Sequence, residues 1–158
     1  MKMSMQKAFL VLFVFVAFSC TKETTEDTNF IEAKNVKEIE EELLSIVNEY
    51  RVEQGQTLLT YSSVAHEQAN KHNDYMISKG NISHDNFSSR ATAISTELEV
   101  EYVAENVAKD YKTANEAFKG WLGSSSHKKT MEGEFTHTAV SVKKDTNNNL
   151  FYTQLFFR

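Results

Sequence analysis

Two histidines and one glutamate, His84, Glu105 and His127, carry the side chains of this sequence that are best suited to chemistry. Two neutral imidazoles and one carboxylate form a common three-ligand set for zinc, which leaves an open coordination position for water or a substrate. The same side chains could instead act as an acid–base pair that a carboxylate orients. They could also form a hydrogen-bonded network that fixes the loops around a sheet. The residue types alone leave these three alternatives open.

Two further residues, Ser124 and His137, are candidates for the same cleft. Ser124 opens a run of three serines that ends directly before His127, which raises the hypothesis of a serine nucleophile. No Gly-x-Ser-x-Gly turn surrounds it and the sequence assigns it no acid partner, so we do not predict a nucleophile there. His137 lies at the start of a predicted hairpin, where it could approach the cleft. Both residues are therefore predicted as cleft residues without an assigned catalytic role.

A histidine earlier in the chain, His66, begins a near match to the zinc-binding H-E-x-x-H helix motif. Asn70 occupies the position of the second ligand, and His72 falls two residues beyond it, off that helix face. We therefore predict that His66 lies on a solvated helix surface. His72 is predicted at the edge of the core.

Apolar residues at helical spacing, bounded by capping residues and glycines, predict three helices. In the first and third, an acid follows the N-cap residue by three positions, as in a capping box. The predicted N-caps and glycine stops, in chain order, are Asn35 and Gly55, Ser62 or Ser63 and Gly80, and Thr113.

The C-terminal part of the sequence changes to the period of a strand. Thr136–Lys143 alternates apolar and polar residues, Leu150–Phe157 is rich in aromatic residues, and the turn-forming segment Asp145–Asn149 separates them. These features predict a β-hairpin, and a further short strand is predicted at Tyr102–Ala108. Helices in front of a small sheet indicate an α+β domain.

The N-terminus has the pattern of a bacterial lipoprotein signal peptide. Lys2 and Lys7 give it a basic start, and Ala8–Phe18 is an unbroken apolar run that is too short to span a bilayer as a helix. A small residue then precedes Cys20. This resembles the lipobox of bacterial lipoproteins, which implies cleavage before Cys20 and attachment of lipid to it.

These features divide the chain into three parts. Residues 1–19 are predicted as the signal peptide, residues 20–35 as the lipidated cysteine and a flexible tether, and residues 36–158 as the folded domain. We therefore expect an exported protein anchored in the bacterial cell envelope, at the outer membrane or the cell surface.

The composition narrows the choice of partners. The chain has 17 Lys and Arg against 22 Asp and Glu, a formal net charge of −5. Without a basic stripe, this balance argues against nucleic acid as a partner and against electrostatic adhesion to anionic lipid. Cys20 is the only cysteine of the sequence, so a disulfide within the chain is excluded. The absence of proline favours long helices and well-paired strands.

Motifs along most of the chain resemble those of the CAP superfamily, which groups cysteine-rich secretory, antigen 5 and pathogenesis-related proteins, and especially its bacterial SCP-like extracellular branch. In the order expected they are Tyr50-Arg51, Ala69-x-x-His72-x-x-x-Met76, Ser83-His84, Glu105-Asn106-Val107-Ala108, Trp121-x-x-Ser124-x-x-His127 and Tyr152-Thr-Gln-Leu-Phe156. Each motif is weak by itself, and their order across residues 40–158 carries the resemblance. It implies an α-β-α sandwich with a central antiparallel sheet of three to four strands and an open cleft.

The resemblance also implies which residues line that cleft. In animal and plant members, two histidines and two glutamates line it and sometimes hold a divalent metal. His84 matches the first histidine and Glu105 the glutamate of the E-N motif. Ser124 stands where the second glutamate is usual, and Glu134 where the second histidine is usual. His127 matches a histidine of the bacterial branch instead, and zinc is the metal that His84, Glu105 and His127 would suit.

The function implied by the resemblance is a non-catalytic, envelope-anchored module that presents its cleft to a lipid, a glycan or a protein. The alternative is a zinc-dependent hydrolase or protease of the cell envelope, in which Glu105 is a base or a ligand and His84 and His127 hold the ion. A third alternative is a structural surface protein with a vestigial cleft. The sequence does not decide whether the protein is an enzyme.

Overall fold

A four-stranded β-sheet forms the middle layer of the protein, in a computed structural model that describes residues 33–158. The strands, in chain order, are β1 (Thr60–Tyr61), β2 (Val103–Lys109), β3 (His137–Lys144) and β4 (Leu150–Phe157). They lie in the order β1-β3-β4-β2. The predicted hairpin is confirmed as the antiparallel pair of β3 and β4, and the strand predicted at Tyr102–Ala108 is confirmed as β2.

Helices cover both faces of this sheet. One face packs against α1 (Lys37–Glu53), α4 (Ala114–Gly123) and α5 (Ser125–Met131), and the other against α2 (Ser63–Lys79) and α3 (Phe87–Leu98). The predicted α+β class and α-β-α sandwich are therefore confirmed. The sequence analysis did not predict α3 and α5.

The prediction of a purely antiparallel sheet is wrong, because β1 runs parallel to β3. Parallel neighbours cannot be joined by a tight hairpin and need a long crossover. Here the crossover contains α2, α3, β2, α4 and α5. Since β1 has two residues, both exposed, it shows no alternation by which the sequence analysis could have found it.

The alternation of side chains along the strands divides the core between the two faces. Val140, Val142 and Tyr152 belong to the cluster on the side of α1 and α4, which also holds Trp121. Ala139, Leu155 and Phe157 pack on the other side, with Ala65 and Ala69 of α2 and Ile94 of α3. Because strand side chains point alternately to opposite faces, neighbouring residues of one strand fill both cores.

Two of the predicted helix starts are confirmed by their capping bonds. Ser62 Oγ accepts a hydrogen bond of 3.3 Å from the Ala65 amide at the start of α2. Thr113 Oγ1 accepts one of 3.1 Å from the Glu116 amide at the start of α4. Such bonds satisfy amides that have no partner within the helix.

The predicted cap of the first helix is wrong, because Val36 is the N-cap residue of α1 and makes no side-chain capping bond. The Asn35 amide group instead donates to the buried carboxylate of Glu40 and to Asn70 Oδ1 of α2. His66 joins the same network through a 3.2 Å contact between its Nε2 and Glu40. With a side-chain exposure of 20%, His66 is not on a solvated helix surface, so that prediction is also wrong.

No helix within residues 33–158 is long and apolar enough to cross a membrane. The predicted signal peptide, the lipid attachment at Cys20 and most of the predicted tether lie outside the described residues.

One fully buried cation, Arg51 of α1, holds the segment between α5 and β3. Its Nη1 donates to the carbonyls of Met131 (2.6 Å) and Gly133 (2.9 Å), its Nη2 to the carbonyl of Phe135 (3.3 Å), and its Nε to that of Thr57 (3.0 Å). The Gly133 carbonyl also accepts from the Phe135 amide at 2.9 Å, and the other three carbonyls end a helix or lie in loops, where regular backbone partners are lacking. The guanidinium therefore takes the place of secondary structure for that segment.

We expect the substitution Arg51→Met to lower the free energy of unfolding by about 3 kcal/mol or more, because four carbonyls lose their donor. Urea unfolding followed by circular dichroism measures this change. Arg158→Met, at an exposed arginine, is the matched control and should shift the free energy by less than about 0.5 kcal/mol. Equal unfolding midpoints for the two variants would contradict the role of Arg51.

Candidate functional site

The first candidate residue, His84, lies in the loop between α2 and α3. The neighbouring carbonyl of Ser83 accepts a 2.7 Å hydrogen bond from Nε2 of His72. His72 is 2% exposed, more deeply buried than the predicted core edge, and burial lowers its pKa. The neutral imidazole of His72 therefore ties the loop that carries His84 to α2.

The second candidate, Glu105, lies on β2 with its side chain 2% exposed. Arg90 of α3 donates to both of its oxygens, from Nε to Oε2 at 2.9 Å and from Nη2 to Oε1 at 2.8 Å. The remaining Nη1 of Arg90 donates to the carbonyl of Asp85 at 2.6 Å. Such a two-pronged contact is the strongest geometry for a carboxylate and an arginine. It pairs the Glu105 carboxylate with a buried cation and joins α3 to the sheet.

His84 contacts the same carboxylate, since its Nδ1 donates to Glu105 Oε1 at 2.8 Å. This bond fixes the tautomer of the imidazole and leaves Nε2 without a role in the network. The side chain of His84 is 54% exposed. The hydrogen bond to Glu105 raises the pKa of His84, against the opposing effect of partial burial.

The third candidate, His127, lies on α5 across from the His84 loop and is half-buried. Burial lowers the pKa of His127, and the positive charge that His84 can carry lowers it further. The Asn106 side chain of β2 donates to the His127 carbonyl at 3.1 Å, which attaches α5 to the sheet. The structure therefore brings all three predicted residues to one region, at the start of β2.

Their arrangement does not fit the predicted zinc site. Within residues 33–158, no group of three or more His, Cys, Asp and Glu side chains is arranged to hold a metal ion. Both oxygens of Glu105 are engaged by Arg90, and one of them also by His84. A metal would have to displace a buried cation from its partner, which leaves that charge uncompensated. The hydrogen-bonded network is the alternative that this arrangement fits.

A groove runs beside these residues, along the outer side of β2. It consists of two adjoining hollows of about 240 Å³ and 450 Å³ that share Tyr102, Ala104 and Thr130. The smaller hollow is also lined by His84 and Glu105. The further lining residues of the larger hollow are Ser126, Lys129, Gly133, Glu134, Phe135 and Arg158.

Three predicted cleft residues, His127, Ser124 and His137, do not line this groove. Ser124 precedes α5, and its hydroxyl pairs with Ser126 Oγ at 3.1 Å. His137 is at the start of β3, separated from β2 by β4, and its ring stacks on Phe157 at 5.2 Å. The sequence analysis in turn missed Arg90, because α3 was not predicted and nothing else in the sequence pairs Arg90 with Glu105.

The sequence over most of the described domain decides the family. Residues 44–156 match the sequence profile of the CAP family, described as the cysteine-rich secretory protein family. The chain belongs to this family. The predicted resemblance is thereby confirmed.

Solved structures agree with this assignment at the level of the fold. The CAP domain superposes on an outer surface protein of Borrelia burgdorferi with a TM-score of 0.71 and 19% identity, over 80% of this chain and 98% of that one. It superposes on an extracellular protein with an SCP domain from Bacillus anthracis with a TM-score of 0.66 and 24% identity, over 77% of this chain and 41% of that one.

A curated relative is the "Uncharacterized membrane protein YlbC" of Bacillus subtilis, which is 29% identical over 125 residues. The match covers 75% of this chain and 34% of that protein. This chain therefore spans about a third of the length of the curated relative.

We expect the substitution Glu105→Gln to lower the pKa of His84, because the carboxylate is the main cause of its upward shift. A raised pKa in the folded state means that the His84–Glu105 contact stabilises the fold below pH 6.5, the ordinary pKa of histidine. That contribution to the free energy of unfolding is lost as the pH rises through the pKa of His84 in the folded protein. NMR titration of the imidazole measures the shift. Glu101→Gln, at an exposed glutamate before β2, is the control, and an equal change in both variants would refute the assignment.

Proposed function

We propose that this CAP domain is an exported, envelope-anchored binding module whose groove beside β2 holds a ligand without chemical turnover. The two-pronged contact between Arg90 and Glu105 carries the proposal. A carboxylate that acts as a base or as a metal ligand needs a free lone pair directed at the reacting group. Glu105 is instead neutralised by Arg90 and oriented toward the protein interior, which suits the support of a binding surface.

The lining of the groove favours a polar ligand over a lipid. Lys129, Glu134 and Arg158 line its larger hollow beside the rings of Tyr102 and Phe135. Sites for apolar ligands are enclosed and mostly lined by apolar side chains, whereas this groove is open and carries both signs of charge. A glycan or a protein segment therefore suits it better than a fatty acid or a sterol.

The first described residues of the domain lie at the end of the sheet opposite the groove. Asn35 pairs with Lys143, and the Lys34 carbonyl accepts from the Lys144 amide, so the first described residues lie beside the turn of the hairpin. The groove lies at the opposite end of the sheet, where β2 begins. A tether from a lipidated Cys20 would join the domain at its hairpin end and leave the groove free to meet a partner. The surface and extracellular locations named for two structural relatives support export.

One observation favours catalysis as a second candidate function. His84 Nδ1 is bonded to a carboxylate, which is the orientation of a general base whose Nε2 would take a proton. A hydrolase of the cell envelope would use this imidazole, and its zinc-dependent form would need Glu105 to release Arg90.

Ligand contact is tested with the ¹⁵N-labelled domain and three probes: soluble peptidoglycan fragments, a casein peptide digest and palmitate. We expect the peptidoglycan or the peptide probe to shift the amides of His84, Glu105 and Thr130, and His84→Ala to weaken that binding. His137→Ala removes the same side chain outside the groove and should bind as the parent does. Cleavage of a probe that is lost in His84→Ala would favour the hydrolase, and shifts confined to palmitate would overturn the polar groove.

Anchoring is tested separately by fractionating cells that express the full chain. We expect the protein in the membrane fraction to incorporate labelled fatty acid, and Cys20→Ala to release it in soluble form, because stable anchoring needs the acyl chains. Cys20→Ala protein that stays in the membrane fraction would contradict the lipid anchor.

A further inference from the structure

The strand that borders the groove, β2, is an edge strand, because its one neighbour in the sheet is β4. Tyr102 and Arg158, at the start of this pair, exchange both of their backbone hydrogen bonds, at 3.2 Å and 3.1 Å. In an antiparallel ladder such pairs recur at every second residue. Ala104 and Asn106 therefore also point their backbone groups toward β4, and the backbone groups of Val103, Glu105 and Val107 point outward.

Side chains close the outer edge after Glu105. The Val107 carbonyl accepts a 3.0 Å hydrogen bond from the indole of Trp121 in α4. For Val103 and Glu105, no residue of the described domain hydrogen-bonds to the backbone amide or carbonyl. Glu105 is 9% exposed as a whole residue but 2% exposed at its side chain, so its exposure lies at the backbone. Beside the groove, Val103 and Glu105 thus keep both of their backbone groups unpaired.

The groove follows these two residues. Val103, Ala104 and Glu105 line its smaller hollow, with Phe87 of α3 on one side and Thr130 of α5 on the other. Tyr102, which is 53% exposed, belongs to both hollows and is stacked on Phe135 at 5.8 Å. The unpaired edge therefore lies in a shallow, open groove between two helices, where an extended chain can reach it.

We propose that an extended peptide segment of a protein partner docks in this groove and adds to β2 as a fifth strand of the sheet. The proposal rests on the proposed function and names the class of ligand. The amides and carbonyls of Val103 and Glu105 offer four hydrogen bonds to alternate residues of the peptide. Because a strand advances by about 3.3 Å per residue, these groups engage a segment of three or four residues.

The charge of the groove favours acidic side chains in that peptide. Lys129 and Arg158 line the larger hollow, and within the described domain no side-chain carboxylate comes within 4.0 Å of either. The Arg158 guanidinium lies 5.8 Å from the centre of the Tyr102 ring. Glu134 lies in the same hollow and offsets part of this charge. An acidic peptide residue beyond the two-residue edge would therefore meet a cation.

The opposite edge of the sheet, β1, has fewer unpaired backbone groups to which an added strand could hydrogen-bond. The amide of Thr60 is bonded to the carbonyl of Thr136, directly before β3, and the amide of Ser62 to the carbonyl of Thr138 in β3. Tyr61 is left as the outward residue of the two-residue strand β1. A peptide there would meet half as many backbone partners, which favours β2 as the docking edge.

The probe that tests the proposal is the blocked peptide acetyl-TVEVEVT-amide. It is added to protein that begins at residue 21 and runs to the end of the chain. NMR of amide hydrogen exchange should show Val103 and Glu105 exchanging fast in the free protein, and slowed when the probe is bound. N-methylation of alternate residues of the probe, in the register that faces β2, should weaken binding at least about tenfold, since two or more hydrogen bonds are lost. N-methylation in the other register is the matched control. The probe acetyl-TVKVKVT-amide should bind more weakly because Lys129 and Arg158 repel it.

The protein side is tested by Val103→Pro, which removes an outward amide without removing a bond to β4. Circular dichroism shows whether Val103→Pro is folded. If it is unfolded, Thr130→Arg, which fills the groove from α5, is the second variant and should also lose binding of the probe. Probe binding that is insensitive to N-methylation, or no binding at millimolar concentration, overturns strand addition. Peptidoglycan fragments that shift the groove amides without slowing their exchange overturn it too, but leave the proposed binding function standing. A dimer in sedimentation that Val103→Pro abolishes would assign the edge to a second copy of this chain and refute the partner peptide.

Discussion

The groove depends on the buried guanidinium of Arg51. Its donation to the carbonyls of Met131, Gly133 and Phe135 holds the segment that follows α5, and that segment forms one wall of the larger hollow. A buried arginine with no carboxylate partner is expensive unless its donors are satisfied, and here carbonyls satisfy them. Many small exported domains are cross-linked by disulfides. This sequence has a single cysteine, Cys20, so contacts such as those of Arg51 must hold its loops instead.

The second buried cation, Arg90, holds the other wall of the groove in place, as Arg51 holds the first. It fastens α3 to Glu105 on β2 and also engages the Asp85 carbonyl in the loop that carries His84. The two helices that border the groove are thus held by separate arginines, one through carbonyls and one through a carboxylate. The hydrogen bond between His84 and the same carboxylate raises the pKa of His84, and the Glu105 side chain is shielded from water.

The sequence predicted those elements whose signals are local. The alternation of Thr136–Lys143 and the turn at Asp145–Asn149 are sufficient for the hairpin, and the hydroxyls of Ser62 and Thr113 mark helix starts. The helix α3 lacks such a signal, because Asn86 precedes it with φ of 58° and makes no capping bond, and its sequence is rich in Ser and Thr, which favour helices weakly. The family resemblance pointed to His84, Glu105 and His127, of which the structure joins His84 and Glu105 by a hydrogen bond. It could not reveal Arg90, because that contact depends on the placement of α3.

The unpaired edge of β2 could pair with other chains in an uncontrolled way, and it could also bind a specific peptide. Exposed strand edges invite uncontrolled pairing with other chains, and proteins usually cover or shorten them. Here the indole of Trp121 occupies the carbonyl of Val107, and α3 and α5 border the strand, so Val103 and Glu105 stay open in a shallow groove. Two residues offer too few backbone groups to template a long sheet, whereas they suffice to bind a single extended segment. An edge shortened in this way limits aggregation while it keeps enough backbone hydrogen bonds to select an extended peptide over a folded surface, and the cations beside it then select among such peptides by charge.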